Sequence, residues 1–516
     1  VRGANAALGA AGLAVFLALG EAVPRLGLVE EDYFPPTSRI ADALGTEVAD
    51  GAFWTALGDT LTGWALGLAV AVGAGVVVGV LLSVVPYLRE ATASTIEFLR
   101  PIPSVALIPL AVLLYGTELR SVLLLVVYAS FWQVLIQVLY GVRDVDPVAE
   151  ETARSYGLGA WARVRYVLWP TALPYVMTGV RLAAAVALIL AVTAELVVGA
   201  PGLGARIAVA QTSQGRARDV RADRRHRSAG PADQRRRTVG GATGAGLAPV
   251  GARGGGGVRR LLLRLVFVLA LPVVLVTVWW VTSAGSEDVY WPPLRTIVET
   301  FPDVWTGERW RGDVLPSVLR LAAGYALAGV VGVALGTLIG SYRRVRAVCE
   351  PVLEFLRAVP PPVLVPVIML FAGIGDTMKI VVIAAGCVWP VLLNTVEGVR
   401  AVDAVTAETA RSYGITGWAR LRHVVLRSAS PQIFAGLRQA LSIGIILMVI
   451  SEMFAASNGL GFTIVQFQRS FAIPDMWSGI LLLGLLGFVL SVLFQMVERR
   501  ALGWYHGLRA AARRSR

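Results

Sequence analysis

Lysine is almost missing from this 516-residue sequence: Lys379 is the only one, and every other basic side chain is arginine or one of three histidines. A nucleotide-binding P-loop needs Gly-x-x-x-x-Gly-Lys-[Ser/Thr]. Lys379 stands between Met378 and Ile380, so the chain has no such loop, and any ATP-driven step needs another chain. Cysteine is as scarce. Cys349 and Cys387 are the only two, both near or within apolar stretches, which excludes a disulfide framework and points to packing. Charge is also low, at 16% of residues against the roughly 25% usual for a soluble domain. That shortage excludes a soluble enzyme and a disordered scaffold. His423 and His506 have no metal-ligand spacing, and no nucleophile–base set stands out, so no metal, cofactor or catalytic residue is expected.

What fills the sequence is apolar. Hydrophobic residues make up 56% and the mean hydropathy is +0.67, the composition of an all-α polytopic membrane protein. The formal net charge of +13 is concentrated in one place: residues 211–260 hold twelve arginines and three aspartates. Elsewhere the chain is mildly basic, so no nucleic-acid partner is implied, and the arginine bias reads as a GC-rich genome.

The sequence is written twice. Tyr33-Phe34-Pro35-Pro36 recurs as Tyr290-Trp291-Pro292-Pro293. Phe98-Leu99-Arg100-Pro101-Ile102-Pro103 recurs as Phe355-Leu356-Arg357-Ala358-Val359-Pro360. Glu151-Thr152-Ala153-Arg154-Ser155-Tyr156-Gly157 recurs as Glu408-Thr409-Ala410-Arg411-Ser412-Tyr413-Gly414, and Gly202-Leu203-Gly204 as Gly459-Leu460-Gly461. The offset is 257 each time. We therefore expect a first repeat over 1–213, a junction over 214–257 and a second repeat over 258–516.

Spanning roughly 30 Å of hydrocarbon takes about 20 apolar residues. Such runs lie near 5–23, 60–84, 102–117, 119–141 and 174–199, then near 261–283, 315–341, 359–374, 378–399, 431–453 and 476–498. Arginine sets the orientation. Arg89, Arg100, Arg143, Arg154, Arg163 and Arg165 mark cytoplasmic loops of the first repeat, and their counterparts from Arg343 to Arg427 do the same in the second. Glu30, Glu31, Asp32, Glu47 and Asp50 mark an external loop. Both repeats point the same way, so the duplication is parallel.

Six spans are expected per repeat, yet the first shows five. Two readings of 214–257 stay open. One is an Arg/Gly/Ala-rich linker able to touch anionic membrane lipid. The other is a sixth span encoded one base out of frame. In the shifted frame the codon across Asp219 and Val220 permits Met, as at Met476. Arg227 through Pro231 permit Gly-Leu-Leu-Gly, as at 484–487, Gly241 through Gly244 permit Glu-Arg-Arg, as at 498–500, and Leu247/Ala248 permits Trp, as at Trp504. The offset never changes. As translated, the stretch is too charged to span a bilayer.

The strongest local motif is Glu-x-Ala-x-x-x-Gly, at Glu151, Ala153 and Gly157 and again at Glu408, Ala410 and Gly414. Asp146-Pro147 and Asp403 precede it; Pro174 and Pro431 follow before the next span. This pattern predicts a short helix, a glycine stop, a turn and a helix entering the membrane. An ordinary solvated surface helix is the plainer reading of one copy; two copies at matching loops favour a function. The duplicated motif, the Phe-Leu-Arg-x-x-Pro entry and the Gly-Leu-Gly after the fifth span resemble the permease subunits of binding-protein-dependent ABC importers, closest to the nitrate/sulfonate/taurine branch. The resemblance covers nearly the whole chain outside 214–257. It implies a multi-pass permease in the cytoplasmic membrane of a bacterium, two separate ATPase subunits, and an extracytoplasmic solute-binding protein. It also implies that the motif residues form ATPase-coupling helices, and that the solute is a small anion. The family's usual Leu-Pro after the loop is Trp169-Pro170 in the first repeat but Leu426-Arg427 in the second.

Other candidates are weaker. Gln133, Gln137 and Asn394, beside Trp132 and Trp389, could line a translocation path or simply pack. Glu195 and Glu452, matched at offset 257, could line the same path or act as structural hydrogen-bond acceptors. Gly75-x-x-x-Gly79 and Gly332-x-x-x-Gly336 read as helix packing. A secondary transporter built from repeats is the alternative function; it calls for ion-coupling carboxylates at mid-membrane, whereas the acids here cluster in loops or near the membrane edge.

Overall fold

The computed structural model describes residues 2–31, 33–100, 102–211, 257–454, 456–505 and 507. The junction 214–257, with both of its readings, therefore lies outside the described residues apart from its last position. The first repeat runs α1 (Arg2–Arg25), the short helix α2 (Thr37–Ala49), α3 (Gly51–Val84) and α4 (Pro86–Leu99). A 3-10 turn at Ser104–Leu107 leads to α5 (Ile108–Tyr115), then α6 (Leu119–Arg143), α7 (Pro147–Ser155), α8 (Ala160–Arg163), α9 (Trp169–Val198) and α10 (203–211). The second repeat follows the same course: α11 (Gly257–Ser283), α12 (Leu294–Trp305), α13 (Leu315–Ser341), α14 (Arg343–Ala358), a 3-10 turn at Pro361–Val363, α15 (Leu364–Ala372) and α16 (Asp376–Arg400). It ends with α17 (Ala404–Ser412), α18 (Gly417–Arg420), α19 (Leu426–Phe454), α20 (Leu460–Arg469) and α21 (Ile473–Ala501).

Eight helices among the described residues are long and apolar enough to cross a membrane, or nine if a bent pair counts as one span. The bent pair corrects the expected third spans at 102–117 and 359–374. Ser104–Tyr115 is only a short apolar helix, about 18 Å at 1.5 Å per residue and too short to cross alone. In the second repeat α14 and the stretch Pro361–Ala372 are long and apolar enough only when taken together, and they are bent by 77°, the shape of a broken span or a re-entrant loop. Pro360, extended at φ −62° and ψ 125°, makes the corner, because proline has no N–H to continue the α14 ladder.

Each repeat is built on a trio: α3, α6 and α9, then α13, α16 and α19. Lipid tails are as apolar as leucine, so close packing of small residues holds such helices together rather than flight from water. Gly75 and Gly79 face Val134 and Val138, where an added Cβ would come within 2.8 and 2.6 Å of the valine side chains. Gly332 and Gly336 repeat this against Val391 and Thr395, at 2.8 and 2.7 Å. The packing reading of both glycine pairs is what the structure holds.

The two repeats exchange their first helices. α1 lies on α14 of the second repeat, and α11 lies on α4 of the first. Gly9 and Gly12 let α1 approach: a Cβ on Gly12 would sit 2.0 Å from the Val348 carbonyl oxygen. Phe16 meets Phe355 edge-on at 6.3 Å. The turn at Ser104–Leu107 packs on α19, and the turn at Pro361–Val363 on α9. One continuous core, from Ile108 to Met448 and Leu483, therefore runs through both repeats.

Candidate functional site

The loops 144–159 and 401–416 each follow the C-terminal end of the fourth span of a repeat and lead into its fifth. Each loop carries one copy of the motif. Asp146 caps α7 by accepting from the Val148 N–H at 2.9 Å, and Pro147 fills the first helical position, where no donor is needed. Asp403 caps α17 by accepting from the Thr406 N–H at 3.0 Å and the Thr406 hydroxyl at 3.1 Å. Those bonds, the backbone one foremost, hold the Asp403 carboxyl below its ordinary range. Both helices end alike. Gly157 and Gly414 take φ +72° and +67°. The N–H of Leu158 returns to the Ala153 carbonyl at 3.0 Å, and that of Ile415 to the Ala410 carbonyl at 2.9 Å, a Schellman closure.

The motif residues divide into two groups. Ala153 and Ala410 are buried beneath the loop, where a larger side chain has no room, whereas Glu151 and Glu408 are exposed. Glu150, not Glu151, pairs with Arg154 at 2.7 Å and Arg163 at 3.6 Å. In the second loop Glu408 lies 3.8 Å from Arg411. The exits match despite Pro170 facing Arg427: each runs through a short helix and one π-helical turn, Val164–Leu168 or Leu421–Val425, into the fifth span.

Sequence reasoning passed over the most unusual feature of these loops. Tyr156 and Tyr413 are 81% and 80% exposed, Trp161 and Trp418 75% and 70%. Val148 and Val405 are also exposed. Exposed aromatics of this size therefore recur at the same place in both repeats. The offset of 257, already used for the motif, would have picked out all six.

At the far end of each fifth span, Glu195 and Glu452 share one task. Glu195 Oε2 accepts from the Thr60 hydroxyl and the Gly204 N–H, both at 2.9 Å. Glu452 accepts from the Ser317 hydroxyl at 2.7 Å and the Gly461 N–H at 3.0 Å. Each carboxylate thus pins the Gly-Leu-Gly turn beneath it. Gly202 and Gly459 pass so close that a Cβ would fall within 2.5 Å of the carboxyl carbon, which explains why the turn needs glycine. Both glutamates are buried, at 1% and 0% exposure. Gln137 and its counterpart Asn394 sit where Gly179 and Gly436 press on the fourth span, and Asn394 donates to its own Pro390 carbonyl at 2.8 Å. Gln133 is half-buried on α6. The structure does not bring these five residues together into one lining.

A family model described as the binding-protein-dependent transport system inner membrane component matches this chain twice, over residues 71–218 and 329–503. The chain is 30% identical over 239 residues to the SsuC permease protein of Bacillus subtilis (strain 168), named for aliphatic sulfonates transport; the match covers 46% of this chain and 86% of that protein. It is 28% identical over 239 residues to the taurine transport system permease protein TauC of Escherichia coli (strain K12), covering 45% and 87%. It is 26% identical over 233 residues to the nitrate import permease protein NrtB of Synechocystis sp. (strain ATCC 27184 / PCC 6803 / Kazusa), covering 44% and 85%. Each relative corresponds to about half of this chain, as a tandem duplication requires.

Proposed function

Because this chain, a multi-pass inner membrane permease, belongs to the inner membrane components of binding-protein-dependent transport systems, we propose that it moves a small solute inward at the expense of ATP hydrolysed by separate subunits. An extracytoplasmic binding protein delivers the solute to the end that carries the Gly-Leu-Gly turns. Two ATPase subunits dock at the other end, one on each motif loop. The solute is a small anion of the nitrate, sulfonate or taurine kind, on the strength of what the relatives are named for.

The observation that supports this best is the matched pair of capped helices, each beside an exposed tyrosine and tryptophan. A rigid helix stub with an apolar skirt and a carboxylate suits a cleft on a moving partner. Glu151 and Glu408 offer the charge; Ala153 and Ala410 keep the helix low on its support. Gly157 and Gly414 turn the chain back. Changing Glu151 and Glu408 together to alanine leaves the chain inserted, because neither side chain is buried. Uptake per ATP hydrolysed then falls about fivefold or more, the lower end of ordinary coupling between sites. Normal uptake by this double variant removes the assignment. With both repeats in one chain, native mass measurement gives one permease chain to two ATPase subunits; two copies of the chain argue against it. Against the secondary-transporter alternative stands the use of Glu195 and Glu452 in holding the Gly-Leu-Gly turns, Glu452 with Arg320 as an additional partner.

A further inference from the structure

The short helix α12 of the second repeat lies on α21. Ile297 and Trp305, on its inner face, are 0% and 2% exposed. Trp305 Nε1 donates to the Ser478 hydroxyl at 2.8 Å. Trp477 Nε1 donates to the Tyr290 carbonyl at 3.1 Å. Its ring lies 5.8 Å from that of Trp279 and 5.5 Å from that of Trp291.

The first repeat carries the same face uncovered among the described residues. Ile40, Leu44 and Val48 of α2 stand at offset 257 from Ile297, Phe301 and Trp305. Spaced four apart, they form one stripe. They are 47%, 58% and 40% exposed, and α2 buries no residue at all. An amphipathic helix with its apolar stripe uncovered lacks its partner. In the duplicate the partner is α21, which identifies the kind of helix that fits there. A second copy of this chain is a poor donor, because its own α21 is already packed within its own repeat.

We propose that the face formed by Ile40, Leu44 and Val48 is the seat of a sixth span in the register of α21, and that the gene carries this helix one base out of frame with codons 219–248. The permissive match is longer than the motif positions alone. Gly241 through Ala248 permit Glu-Arg-Arg-Ala-Leu-Gly-Trp, the run from Glu498 to Trp504 without a gap. Gln234/Arg235 permits serine, as at Ser491. The inference rests on the permease reading only for the equivalence of the two repeats.

Two tests bear on it, and neither reads transport. The first is the coding DNA. The proposal requires GAT for Asp219, TCT for Ser228, GCT for Ala229, GGA for Gly241 and CTG or TTG for Leu247. Wobble bases that instead spell proline or arginine at the Ser228 and Ala229 positions of the shifted frame overturn it. The second test uses the protein. With Cys349 and Cys387 replaced by alanine, Ile40→Cys is labelled by an aqueous maleimide in membranes, and Ile297→Cys serves as the covered control. In the 516-residue chain Ile40→Cys reacts fast and Ile297→Cys slowly. When the lost base is restored and the two repeats are made as separate proteins, Ile40→Cys slows to the rate of Ile297→Cys. Oxidation then also joins Val48→Cys to a cysteine at the restored position aligned with Ser478, as it joins Trp305→Cys to Ser478→Cys. Failure of the first pair alone, with the second pair joined, shows a folded protein with no helix on that face. Slow labelling of Ile40→Cys in the original chain shows another occupant. Either outcome ends the proposal.

Discussion

Glu195 and Glu452 hold the same turn in two different surroundings. In the first repeat Gly63 stands where the second has Arg320, and Leu119 and Val122 stand where it has Asp376 and Lys379. A Cβ on Gly63 would touch Leu119 and Val122 at 3.4 Å, so apolar side chains stand where the second repeat has its charges. In the second repeat Arg320, 4% exposed, reaches Glu452 at 2.9 Å, Asp376 at 2.7 Å and the Asn458 side chain at 2.7 Å. What both copies keep is a carboxylate, a hydroxyl from Thr60 or Ser317, and the glycines. The backbone of the turn is the common requirement, and the charge cluster is an addition to one side.

That contrast sets the largest expected effect. Glu452→Ala strips a buried guanidinium of its fully buried counter-charge, and breaking such a pair costs about 3–5 kcal/mol. Glu195→Ala leaves only the Gly204 N–H unsatisfied, since the Thr60 hydroxyl can still donate to the Ala56 carbonyl, a loss of about 1–3 kcal/mol. Thermal melting of the purified protein in detergent should rank Glu452→Ala well below Glu195→Ala. Equal melting would mean that Arg320 finds enough compensation in Asp376 and Asn458. Arg320→Ala in the Glu452→Ala background should then recover part of the loss, because the stranded charge is gone.

A second contrast lies between α2 and α12. Trp305→Ala empties a well-packed contact and should cost about 3–5 kcal/mol. Val48→Ala, on the uncovered counterpart, should stay within about 0.5 kcal/mol, as exposed positions do. A costly Val48→Ala in this chain would show that the face is already occupied. Where the repeats agree, the effects should agree too. Gly75→Leu and Gly332→Leu each force a helix off its neighbour, for about 1–3 kcal/mol apiece; a one-sided effect would show that one trio bears the structure.

Much of this was legible because a duplication supplies its own control. The offset located the motif helices, the Gly-Leu-Gly turns and the glycine pairs without an alignment. The exchange of α1 and α11 between repeats was not legible, since a helix apolar on all sides carries no stripe to say which neighbour it meets. The bend at Pro360 was half legible: the prolines show a break, but not that α14 and the apolar arm form one bent pair. The Arg320 cluster was hidden by distance, its partners lying 56, 132 and 138 residues away along the chain. Tyr156 and Trp161 were overlooked because aromatics in a hydrophobic sequence read as membrane filling until exposure is known.

The smallest expected effect is a pH response confined to the first repeat. Asp50 caps α3 by accepting from the Ala52 N–H at 3.0 Å, and also takes Arg206 at 3.1 Å. The Ala52 bond first, and Arg206 second, hold its carboxyl below the ordinary value of 3.8. A carboxylate with a lowered folded pKa stabilises the fold fully above its unfolded pKa. The contribution fades as pH falls through the lowered folded value. In the second repeat the equivalents of Asp50 and Arg206 are Gly307 and Thr463, so this cap and this pair have no counterpart there, and the nearest ion pair is Arg309 with Asp313 at 3.9 Å. Hydrogen exchange in residues 46–53 should therefore quicken on acidification below the ordinary aspartate range, while residues 303–310 respond less. Arg206→Ala should blunt this response without abolishing it, because the Ala52 N–H is the larger cause. High salt should mimic Arg206→Ala, since the pair is solvent-exposed and screened. Equal acid responses in both segments would place the cause outside Asp50.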